Sequence, residues 1–292
     1  GVRRVTGVGR VTLINIGDPY SHVRVESLAC LAKSKAETAD YQLALRRAFL
    51  GYGRPERLSL DHDSVFYDNT SASPFPTRLH LWLIALGIEV RFIPEGRPTA
   101  HGFIERTHQI VDQQAMYGQD FESTAALQPW LEKRLDFLNQ CYPSRALGGE
   151  APLTAYPTAT HSGHDYRPEA EAEALNLQRV YLYLAQHTWY RRVTAAGQFT
   201  LGTYRYGLGK AWGNQDVQIR FDAQTQELIC TSEDGQRTHR LKAQGLTKQD
   251  LMGELQMDQF PVYQFAFPWV PEQCRLNVLY RGMTGTTLSD FC

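Results

Sequence analysis

Arg57-Leu58-Ser59-Leu60-Asp61-His62-Asp63-Ser64-Val65-Phe66-Tyr67-Asp68-Asn69 is the stretch on which the reading of this chain turns. Its first four residues alternate polar and apolar side chains, the period of a β-strand. Asp61 follows directly, so the strand delivers its carboxylate to the carboxyl edge of a sheet, where open α/β sheets place their active sites. A second carboxylate stands in Ala100-His101-Gly102-Phe103-Ile104-Glu105-Arg106-Thr107-His108-Gln109-Ile110-Val111. Phe103, Ile104, Ile110 and Val111 give this segment an apolar side, and Gly102 would let a helix begin close to another backbone. Such a helix is expected to aim Glu105 at Asp61.

Hard divalent cations prefer carboxylate oxygens and keep open positions for phosphate and water. Mg²⁺ or Mn²⁺ held by Asp61 and Glu105 is therefore the expected cofactor, and metal-dependent phosphodiester chemistry the expected reaction class. A two-metal centre takes about three carboxylates around ions roughly 3.5–4 Å apart. The sequence offers two of them clearly. The plain alternative is that both are solvated members of a set of thirty-one acids.

The order of parts is more specific than the spacing. Gly53-Arg54-Pro55, the strand into Asp61, Gly87-Ile88 after a helix, then Pro98, His101-Gly102, Glu105-Arg106 and His108 resemble the retroviral-type integrase core and the DDE transposases of bacterial insertion sequences, members of the RNase H-like superfamily. The resemblance runs from about Val11 to Tyr156, where Ala146 to Pro152 resembles the family's exit from the core. It implies an α/β fold, an RNase H-like mixed-sheet core, that cleaves DNA and transfers strands with Asp61 and Glu105 as catalytic metal ligands. Its partners would be double-stranded DNA, as element ends and target, and further copies of the chain.

Three departures qualify it. The family's Asp-Asn-Gly turn reads Asp61-His62-Asp63, and the two carboxylates stand forty-four positions apart, with the extra length expected in a loop over Asn69 to Pro76. No acid precedes Asp18, whereas the family places its first catalytic Asp on the strand before Val11–Gly17. Since the chain opens on Gly, that first ligand is expected to lie upstream of it; Asp18 in Asp-Pro-Tyr-Ser reads more simply as a turn residue.

The rest of the chain has a different character. Between Arg179 and Phe221 there are nine aromatic residues and six Lys or Arg against the single acid Asp216. Val180-Tyr181-Leu182-Tyr183-Leu184 and Val217-Gln218-Ile219-Arg220-Phe221 alternate between Gly-rich turns, so a small all-β SH3-like barrel is expected. Cations with aromatic faces suit a phosphate backbone. Candidate DNA contacts are therefore Arg191, Arg192, Arg205, Lys210 and Trp212, joined by Arg106, His108 and Gln109 beside Glu105. The alternative is that the aromatics form a core and the arginines a solvated face. The expected organisation is a core over 1–156, a linker over 157–174, the barrel over 175–245, and a helix with an aromatic, Pro-rich tail over 246–292.

Whole-chain charge does not announce a nucleic-acid protein: thirty Lys and Arg balance thirty-one Asp and Glu. No run approaches the roughly twenty apolar residues of a membrane helix. The five cysteines are scattered with no CxxC pair, which fits reduced thiols in the cytoplasm rather than a zinc or disulfide framework. Two other function classes stay open: an inactive DNA-binding or assembly subunit of the same fold, and an RNase H-like nuclease that hydrolyses without transferring strands.

Overall fold

The computed structural model describes residues 2–5, 7–31, 35–94, 98–255, 260, 263–265 and 276–278. Its strands and helices follow in the order β1 (Val2–Val5), β2 (Gly9–Gly17), β3 (Arg24–Leu31), α1 (Thr38–Tyr52), β4 (Arg57–Leu60), α2 (Arg78–Ala85), β5 (Glu89–Phe92), α3 (Pro98–Val111) and α4 (Thr124–Gln140). Then come α5 (Pro152–Ala155), α6 (Glu171–Ala174), α7 (Leu177–Ala185), β6 (Thr188–Arg192), β7 (Gln198–Leu201), β8 (Tyr204–Gly207), β9 (Asp216–Asp222), β10 (Glu227–Ser232), β11 (Thr238–Lys242), α8 (Lys248–Met252), β12 (Tyr263–Phe265) and β13 (Leu276–Val278). Beyond Phe260, only β12 and β13 of the expected tail fall within the described residues. The chain divides into two compact units, one from residues 1–54, 102–169 and 254–292, the other from 55–101 and 170–253.

In the first unit β1, β2 and β3 form an antiparallel meander, with Val2 opposite Thr12 and Ile14 opposite Leu28. Successive side chains of a strand point to opposite faces. Val11 and Leu13 accordingly pack with Ile110, Val111, Leu127, Leu131 and Leu138 of α3 and α4. Ile14 and Leu28 instead join Ala36 and Ala44 beside α1. The result is a helix–sheet–helix sandwich. A charge relay links three elements: Arg47 of α1 meets the buried Glu26 of β3 at 3.0 Å and the partly exposed Glu132 of α4 at 2.5 Å.

Past Val111 the helix widens into a π-turn over Asp112–Met116. Two α4 side chains bind its carbonyls: Trp130 Nε1 donates to Ala115 O at 2.7 Å and Arg134 Nε to Gln114 O at 2.9 Å. Gly102 departs from expectation. Helix α3 already begins at Pro98, whose fixed φ suits a first turn, and a Cβ on Gly102 would meet nothing within 4 Å. Gly17 is the glycine that permits close approach, since a Cβ there would stand 2.9 Å from the Phe103 ring of α3.

In the second unit β4 and β5 pair in parallel, Leu60 opposite Phe92, with α2 as the crossover. Thr77 caps α2, Leu79, Trp82, Leu83 and Leu86 are fully buried, and Gly87 turns out of it at φ +79°. The strands β11-β10-β9-β6 form a four-stranded antiparallel sheet, and β7 and β8 a separate hairpin. No closed barrel is formed among the described residues. The reason lies in the first expected strand: 180–184 is part of the helix α7. Val180, Tyr181 and Leu184 are buried while Leu182 is 52% exposed. That pattern is a helical face, whereas a strand would have buried Val180, Leu182 and Leu184 together. Asn176 supplies the cap by accepting from Gln178 N at 3.0 Å. The mixed α/β class stands.

Candidate functional site

Asp61 is the first residue past β4, at the carboxyl edge of the parallel pair, and is exposed. Its Oδ1 accepts from the Asp63 amide at 3.0 Å, closing a side-chain turn. Asp63 in turn accepts from Val65 N at 3.0 Å, while its carbonyl takes the amides of Phe66 and Tyr67. Among the described residues the non-glycine positions with positive φ are His22, Asn214 and Gln226, so Asp63 does not need the backbone freedom of glycine. The turn is held by the Asp61 side chain, so an acid stands at position 63 without backbone strain.

Rings pack beneath this turn. His62 lies 4.7 Å from Tyr67 and 5.6 Å from Phe92, and His80 of α2 stands 5.2 Å from Phe92 and 5.4 Å from Tyr183. Tyr183 meets His187, which stacks on Trp189 at 6.2 Å. Burial, reinforced by His187, pulls the His80 imidazole down from 6.5 to about 4.

Glu105 sits in the first unit, midway along α3 and exposed. Arg106, also exposed, donates to Gln109 Oε1 at 3.2 Å, one turn on. His108 is tied inward: Ser27 Oγ donates to Asn15 Oδ1 at 2.7 Å, and Asn15 Nδ2 to His108 Nδ1 at 2.6 Å. Nδ1 is thus the acceptor and the ring proton belongs on Nε2. Asp18 closes a turn, accepting from Tyr20 N and Ser21 N at 3.1 Å each.

The basic candidates of the second unit divide. Arg191, 12% exposed, donates to the carbonyls of Ser73 at 2.7 Å, Tyr190 at 2.8 Å and Thr200 at 3.1 Å, and reaches Asp68 at 3.5 Å. Burial alone would raise the Asp68 carboxyl, but hydrogen bonds from Thr70 and Phe75, together with Arg191, hold it below its usual range. Arg192 is exposed and pairs with Asp216 at 3.2 Å. Arg205 and Lys210 are exposed. Trp212 is buried, with the Arg237 guanidinium 4.8 Å over its ring. A hollow of about 480 Å³ is bounded by Arg191, Arg192, Arg205, Asp68 and the hydroxyl residues Thr70 and Thr200.

Among the described residues no three His, Cys, Asp or Glu gather closely enough to hold a metal ion. A phosphodiester centre with Mg²⁺ or Mn²⁺ takes about three carboxylates. The donor set among the described residues does not fit that centre. Cys141 is exposed and Cys30 and Cys230 are buried, Cys274 and Cys292 lying outside the described residues. No described helix is long and apolar enough to cross a membrane.

No protein-family model matches the chain. Among solved structures it is similar to the catalytic core domain of BIV integrase, at 16% identity, covering 53% of this chain and 91% of that one with a TM-score of 0.36. It is also similar to a chain of the simian T-cell lymphotropic virus intasome in complex with PP2A regulatory subunit B56 gamma, at 13% identity, covering 84% of this chain and 74% of that one with a TM-score of 0.40.

Proposed function

We propose that the chain acts on DNA in integration or transposition, as a polynucleotidyl transferase of the integrase or DDE-transposase type. The observation that carries this reading is Asp61 at the carboxyl edge of the parallel β4–β5 pair, the place where α/β folds put their chemistry. Glu105, exposed on α3 beside Arg106 and Gln109, is the second carboxylate of the reading. Exposed Arg192, Arg205 and Lys210 supply the cations with which the β6–β11 region, in the role of an SH3-like module, would hold the phosphate backbone. A homo-oligomer on paired DNA ends completes the proposal.

A second reading is favoured by one observation: the described residues bring no third metal donor together with another two. On that reading the chain binds DNA or assembles with active partners and does not turn over. Cleavage and joining of labelled duplex DNA in Mn²⁺ separates the two. Activity that disappears in both Asp61→Asn and Glu105→Gln, with circular dichroism unchanged, supports the transferase. An inactive wild type that still binds DNA in a salt-sensitive way supports the binding subunit. Cleavage with no joined product assigns a nuclease, and absence of DNA binding removes both the transferase and the binding subunit.

A further inference from the structure

The hairpin of β7 and β8 sets Thr200 opposite Arg205, while Phe199 lies opposite Tyr206 with the two rings stacked at 5.4 Å. Opposed residues of a strand pair share a face. With Phe199 and Tyr206 buried inward, Thr200 and Arg205 turn outward, and Gln198, two positions before Thr200, lies on their side. Gly202, at φ +60°, brings the hairpin tip against Phe75: a Cβ there would stand 3.1 Å from that ring. Arg191 ties the same two walls together, donating to the carbonyls of Thr200 at 3.1 Å and Ser73 at 2.7 Å. The hollow of about 480 Å³ between them is thus walled by backbone already fixed, and all its lining residues belong to the second unit.

Its charges are unevenly committed. The guanidinium groups of Arg191, Arg192 and Arg205 line it against the single carboxylate of Asp68, which leaves two positive charges. Asp68 is occupied within the wall: it accepts from Thr70 N at 3.0 Å, from the Thr70 hydroxyl and from Phe75 N at 3.2 Å, and it pairs with Arg191. Arg192 meets Asp216, which lies outside the hollow, in an exposed pair of the kind worth little. Among the described residues the Arg205 guanidinium has no hydrogen-bond or ion-pair partner, nor has the Thr200 hydroxyl.

We propose that this hollow is a subsite for a phosphate monoester, with Arg205 and Arg192 as its cations and the Thr200 hydroxyl and Gln198 amide as further donors. A monoester carries nearly two negative charges at neutral pH, which matches the two uncommitted cations, whereas a backbone diester carries one. Guanidinium forks meet phosphate oxygens in pairs, and a preformed hollow spares the cost of ordering its walls. The volume lies in the range of small-molecule sites, which leaves room for the esterified group. The monoester is either a small phosphate ester or the phosphorylated end of a nucleic acid. This deepens the backbone role given above to Arg192 and Arg205, and it rests on that reading only for the second source.

Titration calorimetry of the full chain at constant ionic strength, with methyl phosphate and dimethyl phosphate as probes, tests the site. Methyl phosphate is expected to bind saturably, about tenfold or more tighter than dimethyl phosphate, and to weaken about tenfold or more in Arg205→Gln and in Arg192→Gln. Both side chains are exposed, so the variants keep the fold, which circular dichroism checks. No saturable binding, equal affinity for the two esters, or unchanged affinity in either variant overturns the proposal. Duplex DNA with and without a 5′-phosphate then identifies the source. Tighter binding of the phosphorylated duplex that R205Q abolishes assigns a nucleic-acid end, whereas no such preference beside intact methyl phosphate binding assigns a small ester. Absence of DNA binding with methyl phosphate still bound removes the DNA reading and leaves the site.

Discussion

The guanidinium of Arg191 closes three carbonyls and reaches one carboxylate, whereas that of Arg192 faces solvent against Asp216. Arg191→Ala is accordingly expected to lower stability by about 1–2 kcal/mol in urea unfolding, because it leaves the partly buried Ser73 carbonyl and Asp68 without their donor. Arg192→Ala should leave stability within about 0.5 kcal/mol and lower the log–log salt slope of DNA binding by up to about 0.9. The opposite pattern would exchange their roles. The two stand side by side in sequence, and nothing in their spacing tells a clamp from a contact. Composition did mark the region as basic, but which arginine turns inward was set by partners such as the carbonyl of Ser73, far away in sequence. Arg47 makes a harsher test. Arg47→Met strands Glu26 and is expected to cost about 3–5 kcal/mol near neutral pH. Burial already raises the Glu26 carboxyl despite Arg47, so in that variant the folded state holds a proton that the unfolded chain releases. The loss should therefore shrink as pH falls, which unfolding at two pH values will show.

Helix α2 and its surroundings show how far pattern alone carries an element. A helix ending before Gly87 was legible in sequence, and the structure adds that Thr77 caps it and that Leu79, Trp82, Leu83 and Leu86 turn inward. Helix α7 was not legible, since Val180 to Leu184 alternates as well as any strand. Its cap, Asn176, lies outside the alternating run, and the exposure of Leu182 is decided by tertiary packing. Asn176→Ala should cost about 1 kcal/mol as a lost cap, measured by thermal unfolding. The strand to Asp61 was legible in place and direction, yet the Asp61–Asp63 turn was not, because it depends on which oxygen meets which amide. Within α2, His80 gives a pH test. Its imidazole titrates near 4 when folded and near 6.5 when unfolded. A base held neutral in this way stabilises the fold above pH 6.5, and that contribution is lost as pH falls from about 6.5 to 4, at most about 3 kcal/mol. His80→Phe should flatten this acid limb, and an unchanged limb would remove His80 as its source.

The whole molecule carries a net charge of −1, so no strong long-range field draws DNA to it. Association with duplex DNA is expected at about 10⁵–10⁷ M⁻¹s⁻¹ in stopped-flow measurements, well below the steered limit, with salt acting more on dissociation. A rate near 10⁹ M⁻¹s⁻¹ at low salt would show that the exposed cations act together as a focused patch. At this scale too, the two compact units take their residues alternately from the chain: 1–54, then 55–101, then 102–169, then 170–253, then 254–292. Inheritance feels that interleaving. A single genetic crossover between this gene and a diverged relative leaves at least one unit with segments from two parents. Mutations that compensate one another inside a unit are thus separated by ordinary recombination, and chimaeras that keep both units intact are those exchanging 55–101 together with 170–253.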